Sequence, residues 1–386
     1  MWALAAAFYV VAIFHRMSLG VASIDAGHRF GVSTSTIALL SIVQLGLYLT
    51  MQIPAGLMAD RLGPRRTLAL GLAILGTGEL LFAFSPTLQM AIAGRALVGI
   101  GDACMFLNVL RVAAHWLPPH RYALATALTA VCGSLGQLLT TAPLSLALGD
   151  LGWTPTFAGT GILTAVLAIL AVNRLQDRPA GAAPAHHAPI LPTLRRAWRA
   201  PSIRHGLWVH FALNCPFVTL TGLWAYPFLV QGQGVPRATA AAILTAAVVA
   251  FGVAAPALGT LAGRNPAYRG RIASAVAFAT AAALGLVLGW PGHPPLGLVV
   301  AMLVLSGVSG AASTLAFDLA RDGVPNAGGS ASGIVNVGGF SAAIVAQAAI
   351  GLLISAHLGY RVALLPLLAL MAMGALQTLR HPVTLA

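Results

Sequence analysis

This sequence predicts an all-α integral membrane protein with twelve transmembrane helices in two pseudo-symmetric six-helix halves. Three observations predict it. The first is composition: 58% of the 386 residues are hydrophobic and 8% charged, where a soluble domain carries about 25% charged residues. The second is the placement of the basic residues. All 21 are arginine, and most fall between apolar segments, as when positive charge marks cytoplasmic loops. The formal charge of +13 is therefore a topology signal, and no nucleic-acid partner is expected. The third is a weak internal repeat. Gly56-Leu-Met-Ala-Asp60-Arg61 follows the second apolar segment, and Gly259-Thr-Leu-Ala-Gly263-Arg264 follows the eighth.

A membrane-spanning helix takes about 20 predominantly apolar residues, and the chain divides on that scale. The expected spans are 2–27, 34–59, 66–85, 87–113, 121–149 and 153–173, then 205–230, 238–262, 271–289, 296–320, 327–355 and 358–379. Glycine and proline inside them are tolerated in a bilayer. Leu151-Gly152-Trp153 opens span 6 as Leu358-Gly359-Tyr360 opens span 12. The expected organisation is an N-terminal half at 1–173, a linker at 174–204 and a C-terminal half at 205–386. The linker is rich in Pro, Ala and His, carries Arg195, Arg196, Arg199 and Arg204, and has room for a short amphipathic helix. Met1 opens almost directly into an apolar run with His15 and Arg16 at its middle, unlike a cleavable signal peptide.

With the N-terminus inside, fifteen arginines fall on inner loops and the tail. Three, Arg29, Arg237 and Arg361, fall outside. That positive-inside bias predicts a multi-pass protein of the cytoplasmic membrane with both termini cytoplasmic. The cysteines Cys104, Cys132 and Cys215 lie in apolar runs and form no disulfide or metal-site pattern. No metal and no cofactor are expected.

The residues that stand out are charges inside apolar spans. Arg16 lies about 21 Å along span 1 at 1.5 Å per residue, beyond the middle of a ~30 Å hydrocarbon core. Arg95 is about eight residues into span 4. Each costs roughly 2.5–3.5 kcal/mol at a helix centre, so both are functional hypotheses by default. Arginine grips a carboxylate with a planar fork, so both are candidate contacts for an anion. The alternative is a structural ion pair, for instance Arg95 with Asp102, which shares its helix face seven residues on. Asp102 is a candidate proton site, because burial and a neighbouring arginine act on a carboxyl in opposite senses. His15 is a second candidate, since histidine changes charge near neutrality.

Gln44, Tyr48 and Gln52 recur every four residues on span 2, and His210, Asn214, Phe217 and Thr221 do nearly the same on span 7. Such stripes line either a cavity or a helix contact. Tyr48, Gln52, His210 and Asn214 are taken as candidate substrate contacts. Glu79, at mid-depth in span 3, is assigned a structural or network role. Arg111 is expected to snorkel near the inner surface. Aligning Pro118 with Pro325 sets Asp102 near Gly310 and places no arginine in the core of span 10, so the deep charge belongs to the N-terminal half.

The segment Gly56-x-x-x-Asp60-Arg61-x-Gly63-x-Arg65-Arg66 resembles the loop signature of the major facilitator superfamily. Gly94-Arg95-Ala-Leu-Val-Gly99-Ile-Gly101-Asp102 is similar to its helix 4 signature. Within the superfamily, His15-Arg16 in span 1, Tyr48 to Gly56 in span 2, Asp102, Trp116-Leu-Pro118 and Trp224-Ala-Tyr226-Pro227 resemble the anion:cation symporters. In those proteins the residue before the first-span arginine is typically Asp, where this chain has His15. The resemblance implies a secondary transporter that moves a small organic anion with protons by alternating access, as a monomer in the lipid bilayer and not as an enzyme. It also implies a conformational gate at Gly56, Asp60, Arg61, Gly63, Arg65 and Arg121, with Asp60 facing the N-terminus of span 11. The alternatives are a proton-driven efflux antiporter and a nitrate/nitrite-type porter. The efflux pattern G-x-x-x-G-P-x-x-G-G is absent from span 5, and span 2 has no core arginine as nitrate porters do.

Overall fold

A computed structural model describes residues 1–179, 195, 198–323 and 328–380. Among them every regular element is helical. The chain divides into two compact units, Met1–His187 and Ala188–Ala386.

The first unit opens with α1 (Trp2–Met17) and α2 (Leu19–Phe30), the two parts of one span bent by 44° at Ser18. Gly31 closes α2 in the left-handed conformation at φ 63°, where a Cβ would be strained. Ser33 then caps α3 (Thr34–Thr50), accepting from the Thr36 amide. The helix resumes after Met51 as α4 (Gln52–Ala83), which turns at the non-helical Gly63, φ 82° and ψ 161°. Proline follows there as Pro64, where its missing amide proton costs little at a helix start. Thr87 caps α5 (Leu88–Ala103) through the Met90 amide. The fourth span is broken at Cys104 and Met105 and resumes as α6 (Phe106–Trp116). Next come α7 (Pro119–Leu139), α8 (Ala142–Asp150) and α9 (Trp153–Arg174).

Packing places α4 against both α5 and α9, α3 against α5, and α1 against α7. Small residues make these approaches close, as is usual between helices in a bilayer. A Cβ added at Gly99 would lie 2.3 Å from the Gln44 carbonyl oxygen, and one at Gly94 2.8 Å from the Gly78 oxygen. The outer face of α9 exposes Ile162, Leu163, Val166, Ile169 and Val172, a contiguous apolar stripe fit for lipid. Gly99→Val should drive α3 and α5 apart, since overpacking costs about 1–3 kcal/mol. The expected result is a lower melting temperature of the purified protein in detergent; an unchanged melting temperature would mean the two helices yield freely.

The second unit comprises α10 (Pro201–Thr219), α11 (Arg237–Arg264), α12 (Arg269–Gly289), α13 (Leu296–Ala312), α14 (Leu315–Gly323), α15 (Gly328–Ser355), α16 (Gly359–Ala363) and α17 (Leu365–Arg380). The span begun by α10 continues through two π-helical turns, Leu220–Trp224 and Phe228–Gly232, flanking Ala225–Pro227. The Trp224 indole donates to the Gln347 carbonyl at 3.3 Å, and the Gln347 amide donates to the Val218 carbonyl at 3.3 Å. The turn at Ser313 and Thr314 interrupts the tenth span as Cys104 and Met105 interrupt the fourth.

Among the described residues, ten helical stretches are long and apolar enough to cross a membrane, and the bent pair α1 and α2 makes an eleventh. The apolar helix Ser35–Thr50 falls short of that length because Met51 interrupts it. Together these account for the twelve expected spans. The expected amphipathic helix in the linker falls largely on residues 180–194, 196 and 197, outside the described residues.

Candidate functional site

The break after Arg16 decides how the buried charges meet. Neighbouring residues on a helix point about 100° apart, so His15 and Arg16 face different partners. Arg16 turns toward α5. Its Nε donates to Asp102 Oδ2 at 2.6 Å and its Nη2 to Asp102 Oδ1 at 2.8 Å, a two-point grip on one carboxylate. The Tyr48 ring on α3 lies under the same guanidinium, 4.2 Å from Cζ to the ring centre. Asp102 is fully buried, and the Arg16 side chain is 5% exposed.

His15 turns the other way, toward α4 and α9. Its Nδ1 is 3.2 Å from Glu79 Oε1, and its Nε2 is 2.7 Å from the Thr164 hydroxyl. Glu79 Oε2 is 3.8 Å from Arg95 Nη1. Arg95 is wholly buried and reaches back to the break in the first span. Its Nη2 donates to the His15 carbonyl at 2.9 Å, to the Arg16 carbonyl at 3.5 Å and to Gln44 Oε1, and its Nη1 to the Ser18 hydroxyl at 3.4 Å. The Phe82 ring lies 5.1 Å from its Cζ. Two arginines and two carboxylates thus share one buried cluster, with His15 between them. With His15 neutral the cluster sums to zero charge.

The pairing corrects one expectation. Asp102 takes Arg16 as its hydrogen-bonded partner, and Arg95 does not grip it. Seven helical residues put Arg95 and Asp102 on one face but about 10.5 Å apart along the axis, beyond contact. Arg95 instead donates to backbone carbonyls left open where the first span bends. Glu79, assigned a structural or network role, lies at the centre of the cluster. Thr164 carried no signal in the sequence beyond being a hydroxyl in an apolar helix.

The remaining candidates separate by place. Gln52 is buried and donates to the Tyr48 carbonyl at 3.4 Å, completing the stripe begun by Gln44 and Tyr48. In the second unit His210 is packed between aromatic rings, 5.0 Å from Phe317 and 6.4 Å from Phe340 between ring centres. Its Nδ1 is 3.4 Å from the Ser313 carbonyl. Gly339 leaves room for it: a Cβ there would lie 2.4 Å from His210 Cδ2 and 2.9 Å from Asn214 Cβ. The stripe of α10 is therefore in part a helix contact. Asn214 is buried with its Nδ2 lacking a hydrogen-bond partner. The position aligned with Asp102 is Ser309, whose hydroxyl donates to the Leu213 carbonyl at 2.9 Å, and a Cβ on the adjacent Gly310 would lie 2.5 Å from the Phe217 ring. The ion pairs His15–Glu79, Arg16–Asp102 and Arg95–Glu79 lie in the first unit.

Around the loop signature, Gly63 supplies the positive φ that turns the chain. The carboxylate of Asp177, just after α9, accepts from the Arg65 amide at 2.7 Å. It caps the helix that starts at Pro64 from across the unit, as an N-cap side chain does locally. Arg65 also donates through Nη2 to the Val172 carbonyl, and Arg111 donates to the Gly56 carbonyl at 3.2 Å. Arg61 and Arg121 are exposed. The Asp60 side chain and residues 324–327 lie outside the described residues.

The family model of the Major Facilitator Superfamily matches residues 4–347. The chain belongs to that superfamily. It is a multi-pass membrane protein of a family of transporters rather than of enzymes. A "Probable sulfoacetate transporter" of Cupriavidus necator is 26% identical over 171 residues, 44% of this chain and 40% of that protein. The nitrate/nitrite transporter NrtP of a Picosynechococcus species is 23% identical over 227 residues, covering 51% and 41%. The D-galactonate transporter of Escherichia coli is 30% identical over 116 residues, covering 30% and 27%. The matched stretches thus span about two fifths or less of these relatives' lengths. Among solved structures, a bacterial homolog of the human lysosomal transporter Spinster, inward-facing and occupied, aligns with TM-score 0.75. It is 15% identical and covers 99% of this chain and 97% of its own; that likeness concerns the fold.

Proposed function

We propose that this protein is a secondary active transporter that carries a small organic anion together with protons, as an importer. The observation that carries the reading is the two-point grip of Arg16 on the buried Asp102. A guanidinium fork that holds one carboxylate holds another equally well, so a substrate carboxylate competes with Asp102 for Arg16. Protonation of Asp102 releases the fork and admits the anion. Charge favours the same coupling. The cluster is neutral as it stands, a monoanion makes it −1, and one proton restores zero. The relatives' names, which include carboxylate and sulfonate substrates, support an organic anion.

Arg95, held on the carbonyls of His15 and Arg16, acts in this reading on the shape of the first span rather than on the substrate. Tyr48 and Gln52 orient Arg16. The segment from Gly56 to Arg66 and Arg121 serve as the inner gate. The arginine distribution supports an inner membrane protein with both termini in the cytoplasm.

Nitrate is a second reading, because NrtP matches a longer stretch of the chain than the other two relatives and nitrate is also a planar oxyanion. The test uses protein reconstituted in liposomes with an inward acid gradient and D-galactonate, sulfoacetate or nitrate outside. Accumulation of an organic anion, lost on adding a protonophore, is expected. The same anion should raise the melting temperature, since a ligand at 100 times its Kd stabilises by about 2.7 kcal/mol. Accumulation of nitrate alone would favour the second reading. Extrusion of organic cations without uptake of any anion would overturn both.

A further inference from the structure

Glu79 presents an unusual account of hydrogen bonds. It is fully buried, and neither carboxylate oxygen accepts one. Its near neighbours are His15 Nδ1 at 3.2 Å and Arg95 Nη1 at 3.8 Å. A buried ionised carboxylate without hydrogen bonds is expensive, and an orphaned buried group calls for a cause. The other end of the imidazole points to one. The Thr164 hydroxyl lies 2.7 Å from His15 Nε2 and 2.8 Å from the carbonyl of Thr160, one turn back. A hydroxyl has one proton to give and can also accept, so two arrangements fit the same heavy atoms.

In the first, Thr164 donates to His15 Nε2, and a neutral His15 directs its Nδ1 proton toward an ionised Glu79. In the second, Thr164 donates to the Thr160 carbonyl and accepts from Nε2–H. Nδ1 then faces Glu79 across a second proton, carried as imidazolium against carboxylate or as carboxylic acid against imidazole. The two arrangements differ by one proton. They interconvert when the pair takes up or releases that proton and the Thr164 hydroxyl rotates, its hydrogen bond passing between His15 Nε2 and the Thr160 carbonyl.

We propose that Glu79, His15 and Thr164 form a reversible proton-binding relay, separate from Asp102. It joins α4, α1 and α9, and Thr164 sets which nitrogen of His15 is occupied. The charged and titratable groups around it are few. Arg95 faces Glu79 from α5, Asp102 lies farther along α5, and Arg16 follows His15 on α1. The Phe14 ring meets the imidazole edge-on, with centres 5.5 Å apart. With the relay loaded and Arg16 paired to Asp102, the cluster holds a net charge of +1, and a monoanion neutralises it. For its purpose the relay rests on the transport reading, and for its test it does not.

The test reads the protonation of the His15 nitrogens by 15N NMR, in full-length protein in lipid nanodiscs without substrate. The His15 signal is assigned by its loss in His15→Gln. In the wild type, the His15 signals are expected to change from those of a neutral imidazole to those of a proton-sharing form as the pH is lowered across the range in which the protein stays folded. Glu79→Gln offers an amide donor to Nδ1 and should leave His15 neutral throughout. Thr164→Val keeps the shape but removes the acceptor for Nε2–H. Where the wild type is half loaded, it should hold the proton about tenfold less, the worth of a hydrogen bond to a charged group. Thr164→Ser should restore it. A wild-type His15 whose nitrogens do not change over this range, or a Glu79→Gln protein that titrates like the wild type, overturns the relay. Thr164→Val matching the wild type removes Thr164 from it. A titrating His15 in a protein that transports no anion would leave the relay standing and sink the transport reading.

Discussion

Arg16→Ala is expected to abolish anion binding, with a loss of at least about a hundredfold in affinity. The figure follows from two charge-assisted hydrogen bonds, each worth about 1.5–3 kcal/mol, that a substrate carboxylate takes over from Asp102. The substitution also leaves Asp102 buried without its grip. Removing one partner of a buried pair costs about 3–5 kcal/mol, so lost binding alone does not separate a missing contact from a weakened fold. Two further variants do. Arg16→Lys keeps the charge but replaces the planar fork with a point donor, and it sits less well over the Tyr48 ring, 4.2 Å from the arginine Cζ. It should bind the anion about tenfold more weakly than the wild type. Arg16→Ala combined with Asp102→Ala removes both charges, should recover most of the melting temperature, and should still bind no anion. Equilibrium binding of the anion accumulated in liposomes measures all three. Wild-type affinity in the lysine protein would mean that the site needs charge but no fork. Anion binding by the double variant would take Arg16 out of the site.

The fold was legible because bilayer physics leaves few options: long apolar segments, arginines sorted to one side, and halves that repeat. Individual breaks were not. Ser18, Met51 and Cys104 interrupt spans that read as continuous, since a bilayer tolerates such interruptions where neighbouring groups satisfy the backbone. Here Arg95 does so for His15 and Arg16, and the Asn108 amide does so for Cys104 at 2.7 Å. The candidate residues of the first unit were visible as charges where charge is costly, and Arg16, Asp102, Arg95 and His15 do meet in one cluster. Their pairing was hidden. A shared helix face suggested Arg95 with Asp102, but contact depends on axial distance and on what the neighbouring helix presents, and α1 presents Arg16. Glu79 was assigned a structural or network role, but its partners were not legible; α4 packs on both α5 and α9, which brings Arg95 and Thr164 into the same network. In the second unit the stripe on α10 left cavity and contact open, and the Phe317 and Phe340 rings around His210 show contact for that residue.

Asp102→Asn is expected to separate anion exchange from the pH gradient. In the wild type both carboxylate oxygens engage Arg16, so the anion enters only as that grip is released, and a proton on Asp102 releases it. Asparagine has the shape of the protonated acid and cannot ionise. Its Oδ1 accepts one bond from Arg16, its amide offers no charge, and the guanidinium stays available. Three consequences follow. Anion affinity should rise, by about tenfold for each 1.4 kcal/mol of lost competition, and should depend less on pH than in the wild type. Uptake driven by an inward acid gradient should fail, because the proton that balances the anion has lost one of its carriers. Exchange of labelled for unlabelled anion across the liposome membrane should persist, since it requires loaded reorientation but no net proton movement. The outcomes divide cleanly. If gradient-driven uptake survives, coupling resides in the His15 and Glu79 pair, and Glu79→Gln should then abolish it. If exchange disappears while the melting temperature holds, the carboxylate is needed to reset Arg16 on every cycle, and the pair is part of the transport machinery rather than a proton switch.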